Sequence, residues 1–257
     1  MKKIFSAAVL FCTFALSTKA ATLTQNFDVR IGIFDAAKVS VSYTLGNTYA
    51  FSSEIKTSGM FDTFYSFKAQ YNTSGILQNG AFITKNYHQS TKSSAHTRTK
   101  SLIFNEKGIL QKRISTKDEY ENSVDVILPD TMPDAFDIQT VLLMMLSALQ
   151  TKDTCALNKT VFNSKKTYHI SIEDEGMTEY KSKKTPFAGN ARKCLAFIHQ
   201  EKTEKGDLLW QVSAERSIVF YLMQDKKTGL FFIPEVNISS TPLGDLNAYA
   251  KTYEIKD

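Results

Sequence analysis

The sequence predicts a mainly β protein, an antiparallel meander forming a curved sheet or open barrel, with one amphipathic helix near residues 135–150 packed against it. Three observations carry that expectation. Apolar and polar residues alternate with a period of two over many short stretches, turn signals containing glycine punctuate those stretches, and a single segment instead shows helical apolar spacing.

The chain opens with Met1-Lys2-Lys3, an apolar run from Ile4 to Leu16, and Ser17-Thr18-Lys19-Ala20. Basic, greasy and small-residue regions in that order predict a secretory signal peptide over residues 1–20, cleaved after Ala20. The apolar run has 13 residues, whereas a membrane-spanning helix needs roughly 20. No later segment is as long and apolar, so no transmembrane segment is expected in the mature chain. Lipid attachment at Cys12 is disfavoured because Phe11 stands where a small residue is required. The expected organisation is a signal peptide followed by one β-rich periplasmic domain over 21–257.

Strands follow at once. Phe27, Val29, Ile31 and Ile33 alternate with polar residues or glycine, and so do Val39, Val41, Tyr43 and Leu45. Gly46-Asn47 suits a tight turn, after which Tyr49, Phe51 and Ile55 resume the pattern. Tyr65, Phe67, Ala69 and Tyr71 repeat it, and Asn79-Gly80 opens a further strand through Phe82 toward Tyr87. Turn chemistry recurs at 105–108, 173–176, 204–207 and 225–229. Ser217 to Met223 is apolar on both faces and is expected to be a central strand, whereas Pro234 lacks an amide donor and predicts an edge strand or a bulge.

The exception lies between Asp134 and Leu149, where Ile138, Val141, Leu142, Met145, Leu146 and Leu149 share one face of a helix. Asp134 is the expected N-cap, with Pro129 and Pro133 in the connector before it. Leu143 and Met144 add apolar surface on the other side, so the helix is expected against or inside the sheet.

Composition narrows the function classes. The chain carries 31 basic and 26 acidic residues; taking away Lys2, Lys3 and Lys19 with the signal peptide leaves 28 basic residues and a net charge of +2. A balance so close to neutral gives no electrostatic case for nucleic acid, which export would in any event put out of reach. Loss of Cys12 leaves Cys155 and Cys194, an even pair whose natural state in an oxidising compartment is a disulfide, with two buried thiols as the alternative. Closing a loop of about 40 residues stabilises the fold by about 4 kcal/mol on the chain-entropy estimate.

Several stretches resemble one bacterial family. They are Phe27-Asp28-Val29-Arg30-Ile31-Gly32, Val39-Ser40-Val41-Ser42-Tyr43, Thr57-Ser58-Gly59, and Ser74-Gly75 ahead of Asn79-Gly80-Ala81-Phe82. Asp137-Ile138-Gln139-Thr140-Val141-Leu142, Val219-Phe220-Tyr221-Leu222 and Leu230-Phe231-Phe232-Ile233-Pro234-Glu235-Val236 continue the likeness. Together they resemble the domain of unknown function 3108 family of exported, β-rich proteins. The resemblance implies a fold and a compartment and transfers no catalytic residue, and nothing is carried over for the lysine-rich stretch from Cys155 to Cys194.

No catalytic constellation is legible. A serine flanked by glycines at nucleophile-elbow spacing is missing, His88, His96, His169 and His199 lie far apart, and neither cysteine sits in a CxxC. No metal, cofactor or enzymatic activity is therefore expected. Cys194 with His199 reads as half of a disulfide near an unrelated histidine, and Glu173-Asp174-Glu175 reads as a charged hairpin tip that serves solubility. Asp125, Asp137 and His169 are isolated polar residues that only three dimensions could bring together.

Aromatic residues are the feature with functional reach. Phe61, Phe64, Phe67 and Tyr71, the helix residues Leu142 and Met145, and Phe220 with Phe232 are candidates to line a cavity for an apolar small molecule or lipid. The alternative is plain core filling. A second functional class is an adaptor that binds another envelope protein through an exposed sheet edge.

Overall fold

A computed structural model describes residues 20–118, 120–125, 137–162, 167–200, 217–241 and 244–256. Residues 1–19 of the expected signal peptide, Asp134 and the turn at 204–207 fall outside these residues.

The first half of the chain is a ladder of hairpins. It comprises β1 (Thr22–Ile31), β2 (Phe34–Leu45), β3 (Thr48–Thr57), a short helix α1 (Gly59–Phe64), β4 (Phe67–Gln78), β5 (Ala81–Ser93), β6 (Thr97–Phe104), β7 (Leu110–Lys117) and β8 (Tyr120–Asp125). Helix α2 (Ile138–Lys152) interrupts it. The second half continues with β9 (Leu157–Phe162), β10 (Thr167–Lys181), β11 (Ala188–Gln200), β12 (Ile218–Gln224), β13 (Phe231–Thr241) and β14 (Gly244–Lys256).

Every pairing is antiparallel, and the first and last strands also pair, so the sheet runs β8 to β1, then β14 to β9. Among the described residues β8 and β9 are its two free edges, which makes it an open, curved sheet rather than a closed barrel. Because α2 joins those two edge strands in the chain, it is drawn across the concave face. There Val141, Leu143, Met145, Leu146 and Leu149 are buried in one core with Leu23, Tyr43, Tyr49, Phe51, Ile170, Phe220 and Leu222. A smaller cluster of Tyr87, Leu102 and Leu110 serves the β5–β7 region.

Local chemistry explains the turns. Asn79 and Gly80 both have positive φ, 51° and 79°, as a two-residue hairpin of this hand requires. At Gly75 the need is close approach: a Cβ would stand 2.6 Å from the Tyr49 ring and 2.2 Å from the Ile83 carbonyl oxygen.

Three expectations are corrected, and for Pro234 one of two alternatives is selected. The helix begins at Ile138 rather than near 135, and its N-cap is Asp137, whose carboxylate accepts from the Thr140 amide at 3.0 Å. Strand β13, which holds Pro234, is interior, between β12 and β14. The bulge alternative is the one realised, as a register shift between Tyr221 and Met223 opposite it. Glu173 to Gly176 is not a hairpin tip but an irregularity within the continuous β10. Ile33 lies beyond the end of β1 and is 76% exposed, so the alternation reaches one residue pair too far.

Candidate functional site

The concave face and α2 line a partly open cavity of about 150 Å³. Strands β1 and β2 supply Phe27, Val39, Val41 and Tyr43 to it, successive positions of the alternation that defines these strands. Phe51, Phe220, Phe231 and Val236 extend the wall, and Leu142, Met145 and Leu146 form the roof from α2.

The roof is fixed at both ends. At its start Asp137 accepts from Thr140 Oγ1 at 2.8 Å and from Thr73 Oγ1 on β4 at 3.3 Å, so the helix cap is also a bond to the sheet. Burial pushes the Asp137 carboxyl above the usual carboxylate range, against the pull of Thr140 and Thr73. Gln139 donates to Ser53 Oγ at 3.1 Å and to the Tyr71 carbonyl at 3.3 Å. Next to this cluster the buried Tyr49 hydroxyl donates to Thr84, and burial pushes its pKa up to about 12.

At the other end Asp153 closes the helix in a left-handed conformation. Arg192 reaches Asp153 at 2.6 Å and Asp174 at 2.9 Å. Asp174 also accepts from Thr154, the Cys155 amide and the Gly176 amide. Partial burial pushes that carboxyl up, but the donors together outweigh it and hold it below its usual range. The acid expected to serve solubility is therefore a joint between α2 and β10–β11. Cys155 and Cys194, both fully buried, are bonded beside it with Cα atoms 6.4 Å apart.

Two polar side chains face the cavity, and both are committed to β13. The Tyr43 hydroxyl donates to the Phe231 carbonyl at 2.6 Å. Gln25, 2% exposed, donates to the Ile233 carbonyl at 3.1 Å and accepts from the Ile233 amide at 3.0 Å. A primary amide thus stands in for a strand partner beside Pro234, where the ladder is interrupted. With these groups satisfied and no charged residue in the wall, the cavity offers carbon alone to a guest. Val39, Leu142, Ile233, Val236 and Ala248 are half-buried, so the lining reaches solvent on one side.

Of the residues anticipated for such a site, Leu142, Met145 and Phe220 line the cavity. Phe232 is buried in the same core but stacks on Tyr253 at 4.3 Å and meets Phe187 edge-on at 5.1 Å. Tyr71 is half-buried beside Gln139, Phe61 is half-buried on α1, Phe67 stacks on Tyr65 at 6.1 Å, and Phe64 is 82% exposed. This aromatic group is thus not gathered around the cavity. The rest of the lining was missed, Gln25, Phe27, Tyr43 and Phe51 among it, and Gln25 carried a signal: a lone amide in an otherwise apolar row. Asp125 on the exposed β8, Asp137 at the helix cap and His169 on β10, bonded to Thr160 Oγ1 at 3.0 Å, lie on separate elements. Among the described residues no three His, Cys, Asp or Glu side chains converge as a metal site, and no helix is long and apolar enough to cross a membrane.

A family model described as "Protein of unknown function (DUF3108)" matches residues 26–251. Among solved structures, the chain is similar to the crystal structure of a β-barrel-like protein of domain of unknown function DUF1849 from Brucella abortus. The two share 9% identity and a TM-score of 0.59, with 93% of this chain and 99% of that one covered. At that identity the likeness extends to the fold alone. No curated protein matches significantly.

Proposed function

The chain belongs to the DUF3108 family, and from that membership and the cavity under α2 we propose that it is an exported, non-enzymatic periplasmic module that binds an apolar group such as the end of a lipid acyl chain. The observation that carries the reading is the chemistry of the wall. Its two polar side chains are spent on β13, so water entering would find few partners. A closed apolar space near 150 Å³ stays dry and accepts a guest about the size of benzene, and here the guest's remainder would close the open side. That volume is below the roughly 300–1,000 Å³ of drug-sized sites. It therefore suits the tip of a longer molecule whose remainder lies outside the half-buried rim.

The test is native mass spectrometry with organic extraction of protein produced with its own leader. A co-purifying hydrocarbon-bearing molecule, displaced in Met145→Trp and reduced in Leu142→Phe, is the expected result. Bare polypeptide, or a ligand retained equally by both variants, overturns the proposal. N-terminal sequencing of the same material tests export, for which a start at Ala21 is expected.

A second reading, a protein adaptor, draws on the open edge at β8, every residue of which is exposed. Pro234 contributes nothing to it, since its strand is interior. Dominant crosslinking of a Tyr120 photoprobe to one envelope protein would favour this reading over the carrier.

A further inference from the structure

The net charge of +5 says little about a local arrangement on the outer face. Lys38 on β2 pairs across with Lys56 on β3, Lys56 with Lys68 on β4, and Lys68 with Lys92 on β5. Residues directly opposite one another point to the same side of a sheet, and adjacent strands lie about 4.8 Å apart. Four exposed lysines therefore stand in a single row. Like charges directly opposite destabilise a sheet, so the row is a cost to the fold.

Few acids answer it. Glu54 meets Lys68 at 3.0 Å. Asp28, opposite Lys38, faces Lys251 at 3.5 Å, Asp35 meets Arg30 at 3.1 Å, and Asp62 accepts from Thr57.

Below the row the strand ends carry an apolar rim. At the β1–β2 tip Ile33 is 76% and Phe34 48% exposed, and on or just after α1 Met60, Phe64 and Tyr65 are 48%, 82% and 53% exposed. The two loops lie side by side: the Ser58 amide donates to the Ala36 carbonyl, and a Cβ on Gly59 would come within 3.0 Å of the Asp35 carbonyl oxygen. Lys56 and Lys68 are each one residue inside their strand ends, and Lys38 is four residues from Phe34. At about 3.3 Å per residue the lysines stand roughly 3–13 Å above the rim. Interfacial elements bury their apolar side about 5–10 Å into a bilayer boundary, with cations at the headgroups.

We infer that this corner of the sheet docks on an anionic phospholipid surface, with Ile33, Phe34, Met60, Phe64 and Tyr65 entering the interface and Lys38, Lys56, Lys68 and Lys92 lying along the phosphates. The apolar rim decides for a bilayer over a soluble polyanion, which would leave those five side chains in water. No cavity residue takes part, so docking stands or falls apart from what the cavity holds.

The experiment is co-sedimentation of the mature chain with vesicles of phosphatidylcholine, with and without phosphatidylglycerol. Binding should require phosphatidylglycerol and weaken as salt shortens the Debye length from about 10 Å at 0.1 M to about 3 Å at 1 M. Each lysine near an anionic surface is worth about fivefold in partitioning, so K56Q/K68Q/K92Q should bind about a hundredfold more weakly. Glu54→Gln, which frees Lys68, should bind more tightly. M60S/F64S should lose binding as well, and all these positions are at the surface, so a melting temperature no lower than the parent's verifies the fold. Equal binding to neutral vesicles, no binding to either, or lysine variants that bind like the parent would overturn the inference. Salt-sensitive binding that survives M60S/F64S and is competed by polyphosphate would identify a soluble polyanion site instead and overturn it too.

Discussion

Replacing Gln25 by leucine tests whether the cavity is dry. The side chain is 2% exposed and makes two hydrogen bonds with the Ile233 backbone, one as donor and one as acceptor. Leucine is close in volume, so packing changes little, but the Ile233 amide and carbonyl lose their partner beside a wall of hydrocarbon. Each unmet buried group costs about 1–3 kcal/mol. Two such groups cost about 2–6 kcal/mol, and burying leucine in place of the amide offsets about 1–2 kcal/mol of that, which leaves a net loss of about 1–4 kcal/mol. In a domain of this size that is roughly 2–16 °C in melting temperature. Equilibrium urea denaturation of parent and variant, followed by circular dichroism, measures it. A loss below about 0.5 kcal/mol would mean that water reaches Ile233 and replaces the amide. The reasoning that the cavity excludes water would then be refuted.

Asp137 and the disulfide give two further tests. Burial raises the Asp137 pKa, so the folded state holds its proton more tightly than the unfolded chain. Its contribution to stability therefore falls as pH rises from the ordinary carboxylate range through the raised value. An asparagine in its place would still cap the helix, so Asp137→Asn should lose least, or gain, at neutral pH and lose most near pH 4; parallel stability curves for parent and variant across pH 4–8 would contradict this. Reducing Cys155–Cys194, or replacing both by serine, should cost about 4 kcal/mol on the chain-entropy estimate. Unchanged denaturation midpoints with and without reductant would contradict it.

How much was legible depended on the range over which each feature is decided. The alternation of Phe27, Val39, Val41 and Tyr43 is set by neighbouring residues, so β1 to β3 and the Asn79-Gly80 turn could be read directly. The helix could be read by its apolar stripe, but Asp134 and Asp137 are both competent caps. Tertiary bonds from Thr73 and Gln139 mark Asp137 as the start. Pro234 left edge and bulge both open, because its compensation comes from Gln25, 208 residues from Ile233. Asp174 and Gly176 carry the same chemistry in a hairpin tip and in a bulge, and the deciding contact is Arg192 on the next strand. Three of the eight cavity candidates line the space because Leu142, Met145 and Phe220 belong to segments that must face inward. The aromatic stretch from Phe61 to Tyr71 instead reverses through α1 and turns Phe64 outward. The lysine row exists only in the cross-strand register, which no local window contains.

Diffraction from crystals pressurised with xenon interrogates the carrier proposal most directly. A xenon peak in the space between Tyr43, Phe51, Met145 and Phe220, with no ordered water there beforehand, is the result predicted. Ordered water bonded to Gln25 or Tyr43 in that space, or side chains collapsed so that xenon finds no room, would contradict it.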